Sequence, residues 1–391
     1  MSILSPEELR RYNRHIILPQ IGLEGQRRLK DSSALIIGVG GLGSPLALYL
    51  AAAGIGRLGL VDYDRVEESN LQRQVLHTTS TLGKSKLESA RGHLLDLNPH
   101  LQIDLHDLKL SSANARSILK DYQVIADCSD NFPTRYLVND AAVLTNRPVV
   151  YGSIFQFEGQ LSVFHYNGGP CYRCLYPEPP APGAVVSCTE GGVLGVLPGV
   201  IGALQANEAI KILAGIGSVA AGRLLVYDAL ELKFRELHFE RNAECAICGT
   251  RPSITELIDY HRFCGVAEEK DAADIKPAQN PYEITVQELH ERLGQTDENR
   301  PGIDFIILDV REPHEYEISR LRNSKLIPLS ELDSRLDELD REKEYVVHCK
   351  MGGRSARAVE FMRSQGFSHV KNLVGGINAW AAEIDPDMPT Y

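Results

Sequence analysis

Positive charge is what this sequence is shortest of: 41 lysines and arginines face 52 aspartates and glutamates, for a formal charge of -11 at pH 7. A surface of that sign excludes a nucleic-acid partner, whereas a single nucleotide needs only a local cluster of cations. Long apolar runs are also scarce. The least polar stretch, Gly191 to Asn207, has no charge for 17 residues, but it is interrupted by Pro198 and followed by Glu208 and Lys211. A span needs about 20 apolar residues, so a buried helix is expected there and no membrane. The charged stretch Ser2 to Lys30 lacks the apolar core of a secretory signal, which predicts a cytoplasmic enzyme. Internal repeats are absent. In a reducing compartment the eight cysteines read as metal ligands or reactive thiols rather than disulfides.

What is present is enough apolar material, 43% of 391 residues, to bury the cores of two or three domains. Apolar strand runs at Leu35 to Ile37, Leu58 to Asp62, Val124 to Asp127 and Val149 to Tyr151 alternate with helical patterns. That alternation predicts an α/β fold, a Rossmann-like, mostly parallel sheet covered on both faces. Around "AEEKDAADIKPAQNP" the pattern dissolves, so the chain divides into a first domain over 1–265, a linker over 266–282 and a small second α/β domain over 283–391.

In "LIIGVGGLGS" the glycines Gly38, Gly40 and Gly43 follow a strand and open a helix running from Pro45 to Gly54. Their G-x-G-x-x-G spacing lets backbone N–H groups approach a phosphate, and Asp62 ends the next strand where ribose hydroxyls would lie. Either NAD or ATP fits this much, as does tight packing with no ligand. Beyond Asp62, "ESNLQRQ" and "GKSK" place Asn70, Arg73, Gln74, Lys84 and Lys86 together. Cations there serve a triphosphate under attack better than they serve a nicotinamide. In "DCSDNFPTRY", Asp130 sits past a strand end, where a carboxylate facing polyphosphate calls for Mg2+. Its plainer reading is a helix N-cap, and that of Lys84 is solvated surface.

The motifs "RYNRHIILPQIGLEGQRRL", "GVGGLGSP", "SNLQRQVLH", "GKSK" and "DCSDNFPTRYLVND" together resemble the MoeB/ThiF family, bacterial relatives of ubiquitin-activating enzymes, over roughly residues 8 to 240. The resemblance implies adenylation of the C-terminal glycine of a ubiquitin-fold sulfur-carrier protein that ends in Gly-Gly. It implies ATP and Mg2+ binding by Gly41, Asp62, Ser69, Asn70, Leu71, Gln72, Arg73, Lys86, Asp130 and Asn131. It also implies a homodimer in which Arg14 reaches ATP from the second subunit.

The cysteines sort by task. Cys171-x-x-Cys174 and Cys245-x-x-Cys248 can present four thiolates to one tetrahedral ion, leaving zinc, an iron–sulfur cluster or a redox dithiol open; the resemblance points to Zn2+. Cys188, in "PPAPGAVVSCTEGG", is a thiol on a small-residue loop, and the resemblance gives that position a transient thioester or a part in sulfur transfer. Packing is its bland alternative. Cys128 is expected to pack behind a strand, and Cys264 carries no spacing that implies chemistry.

Cys349 ends the strand "EYVVHC" and opens "CKMGGRS", which runs into a helix from Ser355. Such a loop can turn successive N–H groups onto a thiolate or persulfide and lower the thiol pKa, with Arg354 adding positive charge. With "LDVREPHEYEISRLRNSKLIPLSEL" before it and "LVGGINAW" after it, the stretch resembles a rhodanese domain over roughly 283 to 385, in which Cys349 would carry sulfane sulfur. The resemblances together imply a fused enzyme: a carrier carboxylate is adenylated, and sulfur from Cys349 converts it to a thiocarboxylate. A cysteine desulfurase or thiosulfate would supply the sulfur. The alternatives are a nicotinamide oxidoreductase, a binding module without turnover, and an enzyme that conjugates a ubiquitin-like protein through a Cys188 thioester.

Overall fold

The computed structural model describes residues 3–181, 191–265, 280–294 and 305–391, and it separates into two compact units, Met1–Glu268 and Glu269–Tyr391. Cys188 and residues 266–279 of the expected linker lie outside the described residues.

The first unit is built on eight strands: β1 (Ser33–Ile37), β2 (Arg57–Asp62), β3 (Gln102–Asp107), β4 (Val124–Asp127), β5 (Val149–Phe155), β6 (Glu158–Phe164), β7 (Arg223–Asp228) and β8 (Lys233–His238). Their order is β3-β2-β1-β4-β5-β6-β7-β8. The first five are parallel, and β6 to β8 return antiparallel. Alternate residues of β1 enter two cores: Ala34 and Ile36 pack with the helices Gly43–Ala53, Lys86–Leu97 and Leu197–Ala214 on one face, while Leu35 and Ile37 pack with Phe132–Thr145 on the other. Two covered faces explain why the central strands read as continuous apolar runs.

The uncharged stretch forms a buried helix, but one that begins at Leu197 and carries Glu208 and Lys211 inside it to Ala214. Glu208 is tolerated because it pairs with Lys211 and accepts from Ala220 N at 2.8 Å. Among the described residues no helix is long and apolar enough to cross a membrane.

The second unit holds a five-stranded parallel sheet in the order β11-β10-β12-β13-β9, from β9 (Glu283–Ile284), β10 (Phe305–Asp309), β11 (Lys325–Leu326), β12 (Glu344–His348) and β13 (Val370–Leu373). It too buries both faces. Val347 and Cys349 lie in one core and Val346 in the other.

Candidate active sites

In the first sheet the strand order reverses between β1 and β4, which pair side by side with β2 and β5 outside them. Loops leaving neighbouring strands at such a point open a crevice past their carboxyl ends. The glycine turn follows β1 and the Asp130 loop follows β4. They touch: a Cβ on Gly38, whose φ is +88°, would sit 3.0 Å from Cys128 O. Gly43 is held more strictly, since a Cβ there would fall 2.0 Å from Gly38 O. That closure starts the helix at Gly43, two residues ahead of Pro45.

Asp62 closes β2 with its carboxylate against this turn. Oδ2 accepts from Val39 N at 2.8 Å, and Oδ1 accepts from Tyr63 N and Asp64 N at 2.8 and 2.9 Å. Lys86, buried at the start of its helix, donates to Asp64 at 2.7 Å. Arg73 is tied to Ser69 O at 3.0 Å, and its Cγ would lie 3.7 Å from a Cβ on Gly41. Glycine turn, acidic strand end and two cations therefore share one crevice. Lys84 is exposed, in keeping with solvated surface.

Across the crevice, the cap of the helix Phe132–Thr145 is Asn131, whose side chain accepts from Thr134 N at 2.9 Å. Asp130 is not the cap, and its carboxylate stays exposed beside it. Arg14 is exposed on the short helix Asn13–Ile16.

Three supports are not singled out as site residues by the sequence. Gln205, inside the apolar helix, donates to Asp127 O at 3.0 Å and to Val150 O at 3.2 Å, bridging the end of β4 to β5. His77 lies 3.0 Å from Val39 O through Nε2 and 3.0 Å from Ser89 Oγ through Nδ1, and burial pushes its pKa down. Asp64, two residues past Asp62, was legible only as its neighbour.

Cys171, Cys174, Cys245 and Cys248 converge with all Sγ atoms within 4.8 Å of one another. The close pairs are 3.9, 3.6 and 3.3 Å apart, near the roughly 3.8 Å edge of a tetrahedron with 2.3 Å metal–sulfur bonds. Hydrogen bonding, first with Cys171, pulls the Cys174 thiol below the usual thiol range. The donor set and its burial fit one tetrahedral metal ion. Between the first two cysteines, Arg173 makes two 2.8 Å bonds to the fully buried Asp140, which also accepts from Tyr260 OH at 2.8 Å. Asp140 belongs to the helix that Asn131 caps, so the cluster and the Asp130 loop hang on one rod.

The remaining described cysteines of the first unit pack. Burial raises Cys128 well above the usual thiol range and lifts Cys264 to about 11.

In the second unit Cys349 is 1% exposed, at the carboxyl end of β12. Its Sγ accepts from Gly352 N at 3.1 Å and Ser355 Oγ at 3.3 Å. The loop's carbonyls are turned the other way: Cys349 O and Lys350 O accept from Ile377 N and Asn378 N at 2.9 and 3.1 Å. The helix after the loop begins at Gly353, two residues ahead of Ser355. Arg354 does not add free positive charge, because Glu315 binds both of its terminal nitrogens at 2.5 and 2.7 Å.

A nucleotide crevice on one unit and a sulfur cradle on the other define an adenylyltransferase joined to a sulfurtransferase, and comparison with known proteins gives the same class. The ThiF family model matches residues 12–247, and the model of a rhodanese-like domain matches 285–383. The chain belongs to the ThiF family and carries a rhodanese-like domain; the family implies ATP binding. "Probable adenylyltransferase/sulfurtransferase MoeZ" of Mycobacterium tuberculosis is 46% identical over 396 residues, covering 100% of this chain and 97% of that protein. "Adenylyltransferase and sulfurtransferase MOCS3" of Drosophila ananassae is 46% identical over 401 residues, with 99% of this chain and 86% of that protein covered. Among solved structures, E. coli MccB with ATP aligns at TM-score 0.56 and 23% identity, over 63% of this chain and 75% of that one. PaaA aligns at TM-score 0.54 and 24% identity, over 62% and 76%. Those two likenesses are of fold.

Proposed function

We propose that the first unit adenylates the C-terminal glycine of a ubiquitin-fold sulfur-carrier protein ending in Gly-Gly, and that Cys349 then supplies the sulfur that makes it a thiocarboxylate. What carries this reading is Cys349 itself: a buried thiol with a backbone N–H and a hydroxyl on its sulfur, on the same chain as a nucleotide crevice.

The carrier carboxylate attacks the α-phosphate of ATP, forming an acyl adenylate and releasing pyrophosphate. Asp62 receives the ribose hydroxyls, with Ser69, Asn70, Leu71 and Gln72 walling the nucleotide beside the close-approach position at Gly41. Arg73 and Lys86 screen the charge that develops between two anions. Lys86, already desolvated against Asp64, holds one direction when the polyphosphate arrives. Asp130 and Asn131 would hold Mg2+, which supplies further screening of the phosphates. Arg14, free on its short helix, completes the site from the second subunit of a homodimer. Cys171, Cys174, Cys245 and Cys248 would hold Zn2+ as a structural ion.

The Cys349 thiolate attacks the sulfane sulfur of thiosulfate, releasing sulfite, or of a cysteine desulfurase persulfide, releasing that enzyme's thiolate, and becomes a persulfide. Its terminal sulfur attacks the acyl carbon, AMP leaves, and carrier and Cys349 are joined as an acyl disulfide. Attack by the Cys188 thiolate on the Cys349 sulfur frees the thiocarboxylate and leaves a Cys188–Cys349 disulfide for an external thiol to reduce. The compartment is the reducing cytoplasm.

The decisive experiment is the intact mass of a Gly-Gly carrier after incubation with the protein, Mg·ATP and thiosulfate. Oxygen replaced by sulfur adds about 16 Da with the wild type and nothing with Cys349→Ala, while ATP–pyrophosphate exchange survives in the variant. Exchange without any mass gain in the wild type would favour a conjugating enzyme that uses Cys188.

A further inference from the structure

The partner of Arg354 leads away from the sulfur to Tyr391, a residue that no motif marks. Glu315, on the helix Pro313–Ile318 after β10, offers its carboxylate to four donors. Oε2 accepts from Arg354 Nη1 at 2.5 Å and Glu312 N at 2.9 Å; Oε1 accepts from Arg354 Nη2 at 2.7 Å and from the hydroxyl of Tyr391 at 2.8 Å. Tyr391 lies beyond the last helix, Gly376–Glu383, and 76 positions from Glu315.

The direction of the Tyr391 hydrogen bond is fixed. Arg311 Nη1, which can only donate, sits 2.7 Å from the phenolic oxygen, so the phenolic proton goes to Glu315. Arg311 is itself immobile: fully buried, paired with Asp309 at 2.6 Å and donating to Ser319 O at 2.7 Å. One hydroxyl thereby links two ion pairs, Asp309–Arg311 at the end of the sheet and Glu315–Arg354 at the sulfur loop. The ring serves a second purpose, since the ammonium of Lys350, next to Cys349, lies 4.6 Å from its centroid. Tyr391 thus touches Lys350 directly and Arg354 through Glu315.

We propose that Tyr391 is a positioning residue for sulfur transfer: its hydroxyl fixes Glu315 and through it Arg354, while its ring holds the ammonium of Lys350, the residue after Cys349. The inference rests on the sulfur-carrying reading of Cys349. An unfixed guanidinium would leave the first turn of the helix that presents Gly352 N and Ser355 Oγ to the sulfur free to shift, and small displacements of reacting groups cost rate more than binding.

The test uses the full chain with thiosulfate as sulfur donor and cyanide as acceptor, comparing wild type, Tyr391→Phe, Glu315→Gln and the double variant. Tyr391→Phe, which keeps the ring, is expected to lower kcat about fivefold and leave KM for thiosulfate within about twofold. In the Glu315→Gln background the same change is expected to cost less than about twofold, because the hydroxyl acts through the carboxylate. A wild-type kcat in Tyr391→Phe would overturn the proposal, and so would an undiminished fivefold loss in the double variant, which signals a purely local packing role. ATP–pyrophosphate exchange reads the other unit and stays constant throughout. If wild type exchanges pyrophosphate but transfers no sulfur, the reading of Cys349 itself fails and takes the role of Tyr391 with it.

Discussion

At the scale of the residue, the buried charges are held in place by named partners, and Glu315 shows what that implies for pH. Burial pushes its carboxyl up, but the hydrogen bonds of Arg354, Glu312 N and Tyr391 outweigh it and hold the group down at about 2, against 4.5 unperturbed. A carboxyl depressed on folding stabilises above its unfolded value and loses that contribution as pH falls through its folded one. The window here is therefore pH 4.5 down to 2, and the shift corresponds to about 3 kcal/mol. Trp380, the single tryptophan of the sequence, lies in the core of the second unit and reports its unfolding. The midpoint of thermal unfolding followed by Trp380 fluorescence is expected to drop across that window in wild type. Glu315→Gln should start lower at pH 7, because Arg354 loses its counter-charge, and fall less steeply. Parallel curves for the two proteins would sink the assignment.

At the scale of the element, both sites are loops at the carboxyl ends of parallel strands, each closed by a glycine that nothing larger can replace. Gly376 begins the helix that binds the outward carbonyls of the Cys349 loop; its φ is +59°, and a Cβ would lie 2.4 Å from Cys349 O. Gly376→Ala must therefore push the loop off its N–H donors. Thiosulfate–cyanide sulfur transfer is expected to fall on the order of 100-fold, with ATP–pyrophosphate exchange unchanged. Retained transfer would show that the loop closes without those bonds. These loops were also the legible part of the sequence, because their chemistry is local: Gly38, Gly40 and Gly43 announce a close approach, and Cys349 announces a cradle. The return of the sheet through β6, β7 and β8 was not legible. β8 is exposed along its whole length, so "KFRELH" carries no burial pattern to read. Nor was Gln205, whose partners lie tens of residues away, nor were the roles of Asp140 and Glu315, which sit inside quoted motifs but meet Arg173 and Arg354 only in the fold. Position along the chain hid Tyr391 most completely, since its meaning exists only once Arg311 and Glu315 are beside it.

At the scale of the whole molecule, each unit buries its own cores, and the four-cysteine cluster belongs to the first. It sits against Val143 and Leu144 of the helix Phe132–Thr145, to which Arg173 also ties it through Asp140. A metal there would hold the knuckle that keeps Arg173 on Asp140, and an ion pair buried this deeply becomes costly when its geometry loosens, by about 3–5 kcal/mol if one partner is lost. The far end of the same helix carries Asn131 and, beside it, Asp130. Metal removal is therefore expected to reach the nucleotide crevice and to spare the sulfur site. Elemental analysis of the purified protein should find one zinc per chain. Incubation with a strong chelator at mildly raised temperature should then abolish ATP–pyrophosphate exchange, leaving the Trp380 unfolding transition and thiosulfate–cyanide transfer where they were. A metal-free protein that exchanges pyrophosphate at the full rate would remove the cluster from the support of the crevice. A Trp380 transition that moves with the metal would instead show the two units unfolding as one.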